Sequence, residues 1–192
     1  TKSPDWLETS SNSSIKMAIC HSLGTHLIKP NILFKASHIV LINSFYNFIP
    51  QNEEKDLTIR TLKRMERKFK TSELKKMIKE FINKSLSPNH IGPDYQTFPE
   101  GNLNFLNSEL LLKDFKELYK VNRSVELFSK DCNLLIIKST KDCILRNTSS
   151  NAFINQLNQT QIKKPTVIEI DNQGHLIIGL SIFKLIEKWL KK

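Results

Sequence analysis

Two short aliphatic runs, Ile39-Val40-Leu41-Ile42 and Leu134-Leu135-Ile136-Ile137, constrain this chain more than any other feature of it. A strand with one wet face alternates apolar and polar residues. Four consecutive apolar side chains need cover on both faces, which is the environment of a parallel sheet between layers of helices. Ile15–Cys20 and Pro165–Asp171 read as further strands of such a sheet. Helical stretches alternate with them. One starts near Leu23 and is expected to end before Pro30, because proline disfavours helix at the preceding residue. Others cover Asn151–Leu157 and Leu180–Lys192, the last with lysines in its final turn, suited to the helix dipole. Strands alternating with helices predict an α/β layered sheet.

Residues 50–120 have a different texture, charged and periodic at helical spacing. Pro50 and the acids Glu53, Glu54 and Asp56 suit a helix start. Leu57, Ile59, Leu62, Met65 and Phe69 then form one apolar stripe, and Leu74, Met77, Ile78, Phe81 and Ile82 a second. A loop holding Pro88, Gly92, Pro93, Pro99 and Gly101 leads to a last helix over Ser108–Tyr119. The expected organisation is an α/β core built from 1–49 and 121–192, with 50–120 inserted as a helical lid.

The 192 residues, 39% hydrophobic and 25% charged, suit one globular domain. No run approaches the length of a membrane span, and "TKSPDWLETSSNSS" has no apolar core of a signal peptide. Cys20, Cys132 and Cys143 lack metal-type spacing, and Cys20 and Cys132 read as core thiols, so a cytoplasmic location is expected. There is no C-x-x-C, P-loop or dinucleotide fingerprint, so neither a metal nor a cofactor is expected.

The chemistry is carried by "MAICHSLGT", a buried strand running into a tight turn with Ser22 at its tip. Cys20-His21-Ser22-Leu23-Gly24 follows the pattern G-x-S-x-G of a strand–turn–helix that holds a serine oxygen clear of its sheet. The second glycine is present, and cysteine replaces the first. Alone, the match is equally that of a polar loop residue. Two later residues change this. Asp142 follows the strand 134–137, and His175 follows the strand 167–170. Groups beyond the carboxyl ends of parallel strands converge on one crevice. His175 would take the proton of Ser22, and Asp142 would fix the histidine tautomer and stabilise the imidazolium. The backbone N–H of Leu23 would be one oxyanion donor. His21 reads as the variable position of the motif, and His26, His38 and His90 as structural.

In these motifs and their order the chain resembles the α/β-hydrolase superfamily over nearly its whole length. "ICHSLG" is similar to that superfamily's nucleophile turn, "LLIIKSTKDCIL" to its acid loop and "VIEIDNQGHLII" to its histidine loop. The resemblance implies an α/β-hydrolase fold, mostly parallel sheet flanked by helices with an inserted helical lid, and Ser22, Asp142 and His175 as catalytic residues. Only 21 residues precede Ser22. The first strands of such a fold, with the loop bearing the second oxyanion donor, are therefore expected to be missing.

Within the superfamily, "IVLINSFYNFIP", "TLKRMERKF" and "ELKKMIKEFI" are similar to the carboxylesterases that cleave pimeloyl-acyl-carrier-protein methyl ester in biotin synthesis. That resemblance implies an acyl ester substrate carried on an acidic acyl-carrier protein. Charge agrees with it. The chain carries a formal +10, and residues 55–84 hold eleven Lys and Arg against four acids. A basic lid would steer an acidic carrier. Arg60, Arg64 and Arg67, on one helix face, are the docking candidates. Phe45, Tyr46 and Phe48 are candidates to line the acyl pocket, although packing under the lid explains them as well. Nucleic acid is not an expected partner, since aromatic residues do not interleave the basic ones. Two other readings stay open: another hydrolase or lyase of this fold, such as the menaquinone-pathway type, and a non-catalytic binding protein.

Overall fold

β1 (Met17–His21), β2 (His38–Ile42), β3 (Asn133–Ser139) and β4 (Thr166–Ile170) form one sheet in that order, each neighbouring pair parallel. They belong to a computed structural model that describes residues 15–89, 107–121, 125–177, 179 and 181–191. The stretch 1–14, His90 and the loop containing Gly92, Pro93, Pro99 and Gly101 lie outside the described residues.

Parallel neighbours need crossovers, and helices supply them. α1 (Gly24–Leu27) and α2 (Pro30–Lys35) join β1 to β2, and α6 (Asn147–Thr160) joins β3 to β4. α3 (Lys55–Lys68), α4 (Leu74–Leu86) and α5 (Ser108–Glu117) lie between β2 and β3, and α7 (Ser181–Leu190) follows β4. The helix after Ser22 ends at Leu27, before Pro30 as expected, and Pro30 itself starts α2 as its first residue, where the missing proline N–H is no loss. α6 begins earlier than its apolar residues suggest, through Asn147-Thr148-Ser149-Ser150.

The unbroken aliphatic runs divide by parity between two cores. Ile39, Leu41, Leu134 and Ile136 face a cluster with Ala18, Cys20, Leu33, Phe128, Phe153 and Leu157. Val40, Ile42, Leu135 and Ile137 face the opposite cluster, under Ile182 and Ile186 of α7. Each side chain so buried contributes about 1.5–3 kcal/mol of transfer free energy. β4 is only half covered, and its Val167 is 41% exposed.

Register fixes what meets at the carboxyl ends. His21 pairs with Ile42, Ile42 with Ile137, and Ser139 with Ile170. The segments leaving β1, β2, β3 and β4 therefore emerge at one edge of the sheet. Among the described residues, no helix is long and apolar enough to cross a membrane.

Candidate active site

Ser22 leaves β1 with a backbone φ of 52°, the left-handed region that residues other than glycine seldom adopt. Its N–H donates to the Ile42 carbonyl (3.0 Å), which ties the turn to β2. Leu23 follows as the N-cap of α1. The two small positions of the motif face each other, since a Cβ built on Gly24 would stand 3.9 Å from the Cβ of Cys20. That is ordinary contact, and it shows how cysteine is accommodated at the first position. Burial raises the Cys20 thiol to about 11, so it stays protonated and inert inside the core.

Asp142 sits three residues beyond β3 and divides its two oxygens between tasks. Oδ1 accepts the backbone N–H groups of Ile144 (2.8 Å) and Leu145 (2.9 Å), which locks the carboxylate in its own turn. Oδ2 accepts from His175 Nδ1 (2.7 Å). A carboxylate only accepts, so Nδ1 carries the proton. In the neutral ring Nε2 is then free to accept. It stands 2.8 Å from Ser22 Oγ. The His175 and Asp142 side chains are 3% and 6% exposed, which shields this short charge-assisted bond from water.

The histidine loop is held from several directions. Asn172 turns at φ 55°, which asparagine tolerates, and Gln173 O accepts from Lys141 N (3.1 Å) in the acid loop. The end of α4 closes on the other side, where Leu176 N donates to Ser85 O (2.8 Å). Asn89 Nδ2 reaches Asn172 O (3.0 Å). Gly174 passes so near this helix end that a Cβ there would lie 2.4 Å from Ser87 O and 2.5 Å from Ser85 O.

Ser22, Asp142 and His175 thus come together from three strand ends. Phe45 is fully buried and packs on His26 and, edge to face, on Phe48. Tyr46 and Phe48 are half-buried. Arg60, Arg64 and Arg67 are exposed on α3. A groove of about 300 Å³ between α3 and α5 is lined by Lys63, Glu66, Arg67, Lys70, Leu112 and Lys116, away from the triad. His26 donates to Phe45 O (2.9 Å), and His38 is bonded to Ser37 and Asn133, as expected of structural histidines. His21 differs from its expected role as a free motif position. Its Nε2 lies 2.8 Å from the His175 carbonyl, and the two rings are 5.0 Å apart. Asn43, at the end of β2, reaches the same carbonyl at 2.8 Å. No pattern in the sequence marks either residue, because their partner lies 154 and 132 positions away.

No family model matches the chain, and no curated protein sequence matches it. Solved structures do. An esterase from Exiguobacterium antarcticum superposes with a TM-score of 0.66 at 12% identity, over 90% of this chain and 64% of that one. An α/β-hydrolase-fold protein from Burkholderia ambifaria gives 0.58 at 11% identity, over 92% and 65%. A thermophilic esterase from Thermogutta terrifontis with malate bound gives 0.56 at 16%, over 91% and 64%. The chain therefore spans just under two-thirds of the length of these structures. At such identities the likeness defines the architecture, and this is the α/β-hydrolase fold.

Proposed function

We propose that the protein is a serine carboxylester hydrolase acting through an acyl-enzyme on Ser22. The observation that carries this reading is the unbroken path from Ser22 Oγ through His175 to Asp142, at 2.8 and 2.7 Å, behind a serine in left-handed backbone. His175 Nε2 takes the hydroxyl proton as Oγ attacks the ester carbonyl carbon. The backbone N–H of Leu23 stabilises the resulting oxyanion, an interaction whose loss costs about 10²–10³ in rate in other enzymes. The imidazolium, held by Asp142, then returns the proton to the leaving alcohol. Water then attacks the acyl carbonyl carbon as His175 takes its proton, and the imidazolium returns that proton to Ser22 Oγ as the acyl–Oγ bond breaks and the acid leaves. Esterases stand among the proteins of similar fold, which agrees with this chemistry.

The substrate we propose is a methyl ester of an acyl chain on an acyl-carrier protein, of the pimeloyl type in biotin synthesis, hydrolysed in the cytoplasm. Support comes from charge and its direction. Arg60, Arg64 and Arg67 point outward from α3, where an acidic carrier could meet them before its acyl chain enters under the helical lid. A small carboxylated substrate would instead need such groups turned into the pocket. Tyr46 and Phe48, half-buried, remain the candidates to touch the acyl chain, while Phe45 contributes from inside the core.

Short p-nitrophenyl esters and a pimeloyl-carrier methyl ester, offered side by side to the protein and to Ser22→Ala, test the reading. It predicts Ser22-dependent turnover that favours the carrier ester and weakens with salt. Turnover of the small esters alone removes the carrier and keeps the esterase. Ester turnover that survives in Ser22→Ala contradicts the mechanism.

A further inference from the structure

A catalytic histidine on a loop needs its main chain fixed as well as its ring. Asp142 sets the rotation of the His175 imidazole, but nothing in that contact fixes where the ring stands relative to Ser22. The His175 carbonyl supplies the missing restraint. It accepts from two side chains at once, His21 Nε2 and Asn43 Nδ2, each at 2.8 Å. A carbonyl oxygen has two lone pairs, and both are used.

Both donors stand on the nucleophile's side of the sheet. His21 is the residue before Ser22, and Asn43 directly follows Ile42, the partner of His21 in the register. The anchoring of Asn43 is complete: its Oδ1 accepts from Ser139 N (2.8 Å) and its Nδ2 also donates to Ser139 Oγ (2.9 Å). These contacts fix which end of the amide faces the histidine loop. Asn43 is 2% exposed and has φ 41°, a conformation asparagine accepts with little strain. For His21, a carbonyl can only accept, so Nε2 carries its proton. The His21 ring lies 5.0 Å from that of His175 and inclined to it by 49°, close enough to limit sideways movement of the catalytic ring.

We propose that His21 and Asn43 are positioning residues, which clamp the His175 main-chain carbonyl and so hold its imidazole at proton-transfer distance from Ser22. The inference rests on the serine hydrolase reading for its kinetic consequence, and on geometry alone for the clamp itself. Misplacement of a reacting group by about 1 Å costs on the order of 10² in rate. The loss belongs to kcat, since His175 does not bind the acyl chain.

The test compares the protein with His21→Phe, which keeps a flat ring and removes the donor, and with His21→Gln, whose amide restores an N–H near the same point. Two readouts are taken on each: kcat and KM for a p-nitrophenyl ester, and the proton NMR signal of His175 Nδ1–H on Asp142 with its exchange against water. We expect His21→Phe to lose about 10²-fold in kcat at unchanged KM, and its Nδ1–H to exchange faster. His21→Gln should recover most of both. Asn43→Asp, which keeps shape and backbone preference but lacks the donor, should behave like His21→Phe. If both His21 variants change only melting temperature, with kcat per folded molecule and Nδ1–H exchange as in the parent protein, the clamp is overturned. If no ester is turned over by a Ser22-dependent route, the hydrolase reading fails while the exchange readout still decides the clamp. Faster exchange in His21→Phe, rescued in His21→Gln, upholds it; equal exchange overturns it.

Discussion

Ser22 holds a conformation that its own side chain disfavours. Left-handed backbone costs an L-residue about 1–2 kcal/mol, and nothing in a serine offsets this. Glycine pays no such penalty. Ser22→Gly is therefore expected to be more stable than Ser22→Ala by about 1 kcal/mol, measured by urea denaturation; equal stabilities would mean that the turn is not strained. Cysteine reactivity gives a second check at this scale. Burial raises the thiols of both Cys20 and Cys132 to about 11, whereas Cys143 is exposed. A thiol reagent at pH 8 should modify one cysteine per folded chain, Cys143, and three after unfolding. Rapid modification of Cys20 in the folded protein would contradict the packing of the turn. Ser22, Asp142 and His175 were legible in the sequence because each follows a recognisable strand. His21 and Asn43 were not, since their meaning is a single carbonyl brought to them by tertiary folding.

At the scale of elements, the aliphatic runs were read correctly as strands because parallel-sheet burial leaves little choice of residue. Helix boundaries are less evenly legible: α1 stops before Pro30 as the proline dictates, whereas the polar start of α6 offers no apolar period to follow. The contact between α4 and the histidine loop was invisible in the sequence, although Gly174 is its trace. A side chain there would collide with the carbonyls of Ser85 and Ser87. Gly174→Ala should therefore destabilise the protein by about 1–3 kcal/mol and, under the proposed mechanism, lower kcat for p-nitrophenyl esters as the histidine loop is pushed from α4. Calorimetry and steady-state kinetics together check this. A fully stable, fully active Gly174→Ala would mean that the helix end does not press on the loop.

Across the molecule, two partly buried histidines make stability depend on pH. His21 is held below the ordinary imidazole value of 6.5, chiefly by burial, and so is His38, with Lys163 adding to it. The unfolded chain accepts protons near 6.5 that the folded chain refuses. Stability is therefore full above that pH and declines as pH falls from it toward the lower folded values. The urea midpoint should be lower at pH 5.5 than at pH 7.5, and the difference should shrink in His21→Gln. An unchanged difference would assign the effect to other groups.

The three helices between β2 and β3 hold twelve of the chain's 29 Lys and Arg, and beside them three strand ends bring a serine, a histidine and an aspartate into line. In the proposed mechanism this line activates Ser22. The most direct measurement is covalent labelling with a fluorophosphonate, followed by mass mapping of the adduct in the parent protein and in His175→Ala. A single phosphonyl adduct on Ser22 is expected, formed at least about 10³-fold more slowly once the histidine is removed. No adduct on Ser22, or one that forms equally fast without His175, would contradict that mechanism.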